Sequence, residues 1–316
     1  MLSAMKTSPR HDADIMRLVA GPALPLEDHA AILPDLAAWA AQHLADPEDA
    51  IDRLAATRLA AMLAHSRHLQ RLARSHPDIV APILNGDGDA VITAAIARLE
   101  QESTRCDDEP EMMAALRRLR AHSALAVALS DMAGLASVSS QMRWLSLAAE
   151  AALRATVTYL FSQADRRGQI RDAAFIKHAD LAGCGWTVLA LGKLGAGELN
   201  YSSDIDLILL HDPIDNPLVT PDASQSFYVE MTRALVRMLS EVTPDGIGWR
   251  VDLRLRPDPG ATAVSIQREA ALGYYESIAR AWERAAFIRA RAVAGDIAMG
   301  ERFLDDIQPF IWRRTL

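Results

Sequence analysis

Two aspartates lie at the start of an apolar run in the second half of the chain. Asp204 precedes the run from Ile205 to Leu210, and Asp206 interrupts it. The apolar residues predict a buried strand. Side chains two positions apart on a strand lie on the same face, with their Cα atoms about 6.5 to 7 Å apart. Two such carboxylates can bind one or two Mg²⁺ ions. The alternative is a solvated turn at the strand entrance, formed by Ser202, Ser203 and Asp204.

A third acid lies on a later stretch in which apolar and charged side chains alternate strictly, from Trp249 to Pro257. This alternation predicts a half-buried strand with one polar face. The polar face carries Arg250, Asp252, Arg254 and Arg256. Asp252 either neutralises these arginines or is a third metal ligand. In the second case the arginines face phosphate oxygens, which suit a planar guanidinium.

A glycine-rich segment precedes the paired aspartates. The apolar run from Thr187 to Leu191 predicts another buried strand, which ends at Gly192. Gly195 and Gly197 follow closely. This density of glycine predicts a turn whose backbone can come close to a ligand.

The order and spacing of these motifs are similar to those of a known superfamily. Gly192 and Lys193 are followed by Asp204 and Asp206, and Asp252 lies on a later predicted strand. This arrangement resembles the signature of the DNA polymerase β-like nucleotidyltransferases.

Longer segments narrow the resemblance to the glutamine synthetase adenylyltransferase/adenylyl-removing enzyme family. They are residues 192–207, residues 250–257, Tyr274 to Glu276 and Trp282 to Ala285. The residues from Asn200 to Ile205 resemble the adenylyl-removing half of that family. The chain departs from the family pattern at Ala196, Ala279 and Arg289, and none of these departures removes a carboxylate.

The resemblance implies a fold and a set of site residues. The fold is α+β, with an N-terminal all-helical domain followed by a polymerase β-like nucleotidyltransferase domain that has a small mixed sheet and flanking helices. Asp204, Asp206 and Asp252 are the expected catalytic residues and Mg²⁺ ligands, Asp252 alternatively being the base for the attacking group. The expected nucleotide and phosphate contacts are Gly192, Lys193, Ser203, Arg254 and Arg256.

The resemblance also implies a reaction and its partners. The adenylyl-removing enzyme uses phosphate to cleave the AMP–tyrosine linkage of adenylylated glutamine synthetase, which releases ADP. The PII signalling protein is the expected regulator of the full-length enzyme. Three alternatives stay open: adenylyl transfer from ATP, uridylyl transfer to the PII protein, and a non-catalytic module that binds nucleotide or PII.

Composition indicates which partners and which cellular location to expect. The net charge of −8 makes non-specific binding of nucleic acid unfavourable, so no nucleic-acid partner is expected. The two cysteines, Cys106 and Cys184, have no metal-binding spacing and suit a reducing cytosol. No long uncharged apolar run and no signal-peptide core occur in the sequence, so we expect a soluble, cytoplasmic protein with no membrane partner.

The helical patterns predict the domain layout. Residues 1–165 are expected to form the helical domain, 166–296 the catalytic domain, and 297–316 the start of a following helical region that looks truncated. Residues 1 to about 28 look like a loose lead. Long helices are predicted over Met112–Ala133, Val138–Ala164 and Ser224–Val242.

One more helical stretch is predicted from Tyr274 onward, through Arg284, Arg289 and Arg291. These three arginines could line a phosphate pocket. Alternatively, they pair on the surface with neighbouring glutamates such as Glu283.

Overall fold

The structure is a computed structural model that describes residues 32–43, 50–177 and 181–312. The predicted loose lead and the residues from 313 onward lie outside this part of the chain. The first helices are α1 (Leu33–His43), α2 (Ala50–Ala64), α3 (Arg67–Ser75), α4 (Val80–Leu84) and α5 (Gly88–Ser103).

Two long helices follow and confirm the apolar periodicity of the sequence: α6 (Glu109–Ala133) and α7 (Val138–Arg166). The carboxylate of Asp108 accepts a hydrogen bond from the amide of Glu111 at 2.9 Å, which satisfies one of the free N–H groups at the start of α6. Gly134 separates the two helices at φ +69°. The periodic positions of α7 are buried: Leu145, Ala149, Leu153, Val157 and Leu160.

The described chain divides into two compact units. Residues up to Ala95 together with Ala121–Leu145 form one unit, and Ile96–Arg120 together with the residues from Ser146 onward form the other. Within the first unit, the indole of Trp144 donates to Asp89 at 2.6 Å, and the rings of His76 and His122 meet edge to face. The domain limits at 165 and 296 stay a prediction.

The second unit contains a mixed sheet, which confirms the α+β class. Its strands are β1 (Trp186–Ala190), β2 (Ile205–His211), β3 (Val251–Asp252), β4 (Ile266–Gln267) and β5 (Arg291–Gly295). The order is β3-β2-β1-β5, and β4 also pairs with β2. β1 is antiparallel to β2 and β5, whereas β2 is parallel to β3 and β4.

Helices cover this sheet: α8 (Gly192–Ala196), α9 (Ser224–Ser240), α10 (Arg268–Ser277), α11 (Ala281–Phe287), α12 (Ile297–Asp306) and α13 (Gln308–Ile311). An aromatic and aliphatic cluster fills the space between β1, β2 and the C-terminal helices. Its largest members include Tyr275, Phe287 and Phe303. Burial of such side chains contributes about 1.5 to 3 kcal/mol each to folding.

Three predicted elements differ from the structure. The glycine-rich turn is the short helix α8. The single helical stretch from Tyr274 is α10, α11 and then a strand that begins at Arg291. The helix from Ser224 ends at Ser240, and Val242 lies beyond it with 75% of its surface exposed. The periodicity of the sequence does not predict where these elements end, because tertiary contacts determine their ends.

The predicted strand from Trp249 to Pro257 is also wrong in extent, since β3 contains only Val251 and Asp252. The carboxylate of Asp252 accepts a hydrogen bond from the backbone amide of Arg254 at 2.8 Å. This side chain-to-backbone bond turns the chain and ends the pairing.

Both cysteines are buried and free. Along the described stretches, no helix combines the length and the apolar character that a membrane crossing requires.

Candidate active site

Two of the three predicted acids lie side by side on neighbouring strands. In the parallel pairing of β2 with β3, Ile205 is opposite Val251 and Asp206 is opposite Asp252. The amide of Ile205 donates to the carbonyl of Arg250 at 2.9 Å and holds this register. Directly opposed residues place their side chains on the same face of a sheet, and Asp204 immediately precedes β2.

The electrostatics of Asp206 reflect this crowding. Burial raises the pKa of its carboxyl group, and the charges of Asp252 and then Asp204 raise it further. Among the described residues, none donates a hydrogen bond to the Asp206 carboxylate. A half-buried acid with like charges beside it and no described donor is an unfavourable arrangement for folding alone, which makes Asp206 a candidate functional residue.

Arginines accompany the two outer acids. Arg250 pairs with the Asp204 carboxylate and also donates to the carbonyl of Ser202 at 2.6 Å. The Nε of Arg254 donates to Asp252 at 2.8 Å, and this contact holds the pKa of Asp252 below its usual range. The Arg254 side chain is 84% exposed, so it remains accessible to a ligand.

The carboxylate oxygens of these aspartates are suitable ligands for a divalent cation, although the three side chains are not grouped as a complete metal site. In the part of the chain that the structure describes, no three acid, histidine or cysteine side chains are grouped closely enough to hold a metal. Carboxylate oxygens are nevertheless the ligands that Mg²⁺ prefers. A cation at Asp206 would offset the burial and the repulsion that together raise the pKa of its carboxyl group. Arg250 and Arg254 would compete with that cation for Asp204 and Asp252.

The glycine-rich helix begins against Asp206. Gly192 has φ +55°, and a Cβ atom added to it would lie 2.5 Å from Oδ2 of Asp206. The amide of Leu191 donates to the carbonyl of Asp206 at 2.9 Å, which ties the two segments together. Lys193 is exposed and forms no ion pair with any described residue. The structure therefore places Gly192 beside Asp206.

The other two predicted contact residues have local partners. The hydroxyl of Ser203 accepts from the amide of Asn200 at 3.3 Å and closes the turn before Asp204. Arg256 donates to the carbonyls of Leu253 at 2.9 Å and Pro259 at 2.8 Å. Its guanidinium therefore stabilises the loop after β3 and is not brought to the carboxylates.

Comparison with known proteins decides the family. The model of the glutamate-ammonia ligase adenylyltransferase family matches residues 56–306. The chain belongs to this family. The resemblance that the motifs indicate is thereby confirmed.

Three family members give the scale of the match, and each is named bifunctional glutamine synthetase adenylyltransferase/adenylyl-removing enzyme. The relative from Xanthobacter autotrophicus is 44% identical over 81% of this chain, and that from Bradyrhizobium diazoefficiens is 45% identical over 79%. The relative from Rhodopseudomonas palustris is 41% identical over 96%. The chain spans 26%, 25% and 32% of these proteins, respectively.

A partly buried arginine that the sequence does not single out supports the turn before Asp204 in this family member. Arg120, on α6, donates to the carbonyl of Tyr201 at 2.6 Å. Its guanidinium also lies 5.7 Å from the ring centres of Tyr201 and Trp249. Burial lowers the pKa of Arg120 and raises that of Tyr201. Because 81 residues separate Arg120 from Tyr201, no local sequence pattern could have predicted this contact.

The arginines near the C-terminus have separate partners. Arg284 donates to the carbonyl of Ile311 at 3.2 Å, and Arg289 lies 3.7 Å from Glu198. Arg291 pairs with Glu150 at 2.6 Å. Glu283, the surface partner considered from the sequence, is buried and accepts instead from Tyr274 at 3.1 Å.

Proposed function

We propose that the chain is a metal-dependent nucleotidyltransferase unit that removes adenylyl groups from glutamine synthetase. The observation that carries the proposal is the pairing of Asp206 with Asp252 across two parallel strands, with Asp204 beside them and Gly192 packed against Asp206. Like charges gathered on a half-buried face fit a site built for a cation and phosphate oxygens.

Family membership supports the substrate. Glutamate–ammonia ligase is another name for glutamine synthetase, and the relatives carry names for both addition and removal of the adenylyl group. The residues from Asn200 to Ile205 and the helical sequence before them favour the removing half. We infer a polymerase β-like nucleotidyltransferase topology and a cytoplasmic location, which the free cysteines suit.

Asp204, Asp206 and Asp252 would hold the metal. When bound there, Mg²⁺ supplies charge neutralisation for the phosphate group under attack. The residues of the chain itself bind and orient the phosphate groups. The exposed cations of Lys193 and Arg254 attract and orient phosphate oxygens. Gly192 leaves room for the Asp206 carboxylate to pack against the start of α8. Ser203 keeps the turn before Asp204 closed, and Arg256 holds the loop after β3. Their contacts with the ligand stay predictions.

The proposed reaction balances as a phosphorolysis. An oxygen of inorganic phosphate attacks the phosphorus of the AMP–tyrosine linkage and forms the new P–O–P bond of ADP. The bond from phosphorus to the tyrosine oxygen breaks, and the tyrosine of glutamine synthetase leaves. Its oxygen takes up a proton equivalent to the one that the attacking hydrogen phosphate loses. Alignment and charge neutralisation are the main demands of such a displacement.

The test is incubation of the chain with adenylylated glutamine synthetase, phosphate and Mg²⁺, with ADP release followed over time. We expect ADP from the wild-type chain and none after removal of Mg²⁺ with a chelator. Asp206→Asn should reduce the rate by at least about 100-fold. Asp305→Asn, which alters an exposed acid on α12, is the matched control and should keep the wild-type rate.

Parallel reactions separate the alternatives. AMP transfer from ATP to unmodified glutamine synthetase, without ADP release in the reverse assay, would assign the adenylylating direction. Labelling of the PII protein with UTP would assign a uridylyltransferase. Absence of all three reactions, together with binding of nucleotide or PII, would leave a non-catalytic module and refute the proposed function.

A further inference from the structure

One arginine connects three segments around the glycine-rich helix. Arg291 is the first residue of β5, and its Nε donates to the carbonyl of Gly195 at 2.7 Å. Its Nη2 donates to the carbonyl of Leu194 at 3.1 Å and to Oε1 of Glu150 at 2.6 Å. The guanidinium therefore joins α7, α8 and the edge strand of the sheet.

Glu150 is the acidic partner of this arginine. It lies on α7 among buried alanines and leucines and is only 9% exposed. Arg154 lies 3.9 Å from the same carboxylate, which is farther than Arg291. A carboxylate at such a position costs folding energy unless it is paired. Its pairing with Arg291 is the contact that accounts for an acid at this point of an apolar helix.

The helix that Arg291 contacts is too short to be stable by itself. α8 spans Gly192–Ala196, and a helix of about one turn is unstable alone because nucleation is costly. The last carbonyls of a helix lack partners within it. The amide of Gly197 satisfies one of them, the carbonyl of Leu194, at 3.0 Å. Arg291 donates to that carbonyl and to the next one, and so adds two bonds at the end of α8.

We propose that Arg291 and Glu150 are positioning residues that set α8 against Asp206, and through α8 control binding of a metal–nucleotide complex. The first residue of α8 is Gly192, whose Cα lies against the Asp206 carboxylate. A shift of α8 therefore moves the wall of the site. The identity of the ligand in this inference rests on the proposed function. The support that Arg291 gives to α8 does not depend on it.

One of the two roles that the sequence suggests for Arg291 is direct contact with phosphate, and the other is surface pairing with a nearby glutamate. Direct phosphate contact is the rival to a positioning role. The two roles make different demands on Glu150. A positioning arginine needs its buried carboxylate partner, because Glu150 fixes the guanidinium beneath the carbonyls of α8. An arginine that binds phosphate directly would keep its charge, and its ligand contact, after Glu150 is neutralised.

The first measurement is amide hydrogen exchange of the peptide that covers residues 191–198. In Arg291→Gln we expect exchange of the α8 amides to accelerate about tenfold, because local opening costs less without the two bonds. Glu150→Gln should give a smaller acceleration in the same peptide, and the double variant should not exceed Arg291→Gln. Arg98→Gln, which breaks an exposed ion pair on α5, is the matched control and should leave this peptide unchanged.

The second measurement is calorimetric titration with Mg²⁺–ADP, compared with the KM and kcat of the phosphorolysis assay. Both Arg291→Gln and Glu150→Gln should raise the dissociation constant, by about tenfold for the arginine variant, as is typical when a supporting residue behind a metal site is removed. Arg291→Lys keeps the charge but cannot form the same set of planar contacts, so it should recover only part of the affinity.

The outcomes separate the two proposals. Unchanged exchange of residues 191–198 in both Arg291→Gln and Glu150→Gln would overturn the positioning role. Weaker ligand binding in the arginine variants with wild-type binding in Glu150→Gln would instead assign direct phosphate contact. A wild-type chain that neither binds Mg²⁺–ADP nor releases ADP would refute the proposed function, and exchange alone would then decide the mechanical link.

Discussion

Replacement of Gly192 by alanine tests the packing between α8 and Asp206. Gly192 has φ +55°, and the added Cβ would lie 2.5 Å from Oδ2 of Asp206, whereas ordinary contact begins at 3.4 Å. The carboxylate or the start of α8 must therefore move by about 0.9 Å. Gly197 offers a matched control because it has φ +73° and no atom within 4 Å of the added Cβ.

The two variants share backbone strain but differ at the site. A non-glycine residue in the left-handed region costs about 1 to 2 kcal/mol, so Gly192→Ala and Gly197→Ala should both lose roughly this much stability. Only Gly192→Ala displaces the carboxylate. A misplacement of about 1 Å at a reacting centre can reduce the rate by about 100-fold, which is the loss expected for Gly192→Ala alone.

The assay combines urea denaturation with the rate of ADP release at saturating Mg²⁺. We expect similar unfolding free energies for the two variants and a rate difference of about 100-fold between them. Equal rates in Gly192→Ala and Gly197→Ala would show that the contact with Asp206 is irrelevant to the chemistry. That result would refute the assignment of this face as the active site.

Three further predictions use the charges and buried groups of the second unit. Because the pKa of Asp206 is raised in the folded state, its ionised form destabilises the fold; Asp206→Asn should therefore raise the melting temperature at neutral pH, and calorimetry should show this gain disappear as pH falls through the raised pKa. Arg254→Gln removes the cation that lowers the pKa of both Asp252 and Asp206, so the acid limb of the pH–rate profile should move to higher pH; an unmoved limb would contradict the proposed coupling. Arg117 is 2% exposed and donates to carbonyls at the C-terminal end of α9, so Arg117→Ala should cost about 3 kcal/mol in denaturant unfolding. The exposed-pair variant Arg98→Ala should cost about 0.5 kcal/mol or less, and equal losses would contradict a structural role for Arg117.

Elements with a strong local pattern could be read from the sequence. The apolar runs around β1 and β2, and the repeats of α6 and α7, correspond to elements of the structure within a few residues. Each of these elements buries one face, and the spacing of its own apolar residues shows that face. Periodicity is therefore sufficient to predict the element. The order of the motifs carried the resemblance to the family, and that resemblance implied the α+β class.

The candidate site was predicted only in part. The spacing of Asp204 and Asp206 and the presence of Asp252 pointed to one acidic face, and the parallel register of β2 and β3 brings Asp206 to Asp252. The roles of Ser203 and Arg256 as ligand contacts stay predictions. Alternation placed Arg256 on the same face as Asp252. However, the backbone amide of Arg254 donates to the Asp252 carboxylate, which ends β3, and Arg256 lies in the loop that follows.

The sequence by itself determined which residues could do chemistry and where the longest helices and the two central strands lie, because these properties depend on residue type and short spacing. Only the tertiary structure decided what supports them. Glu150 and Arg291 are 141 residues apart, and Arg120 and Tyr201 are 81 apart. No period links such pairs, since the folded backbone alone brings them together. The same contacts decide where a short element such as α8 can exist at all, because its own hydrogen bonds are too few to form it.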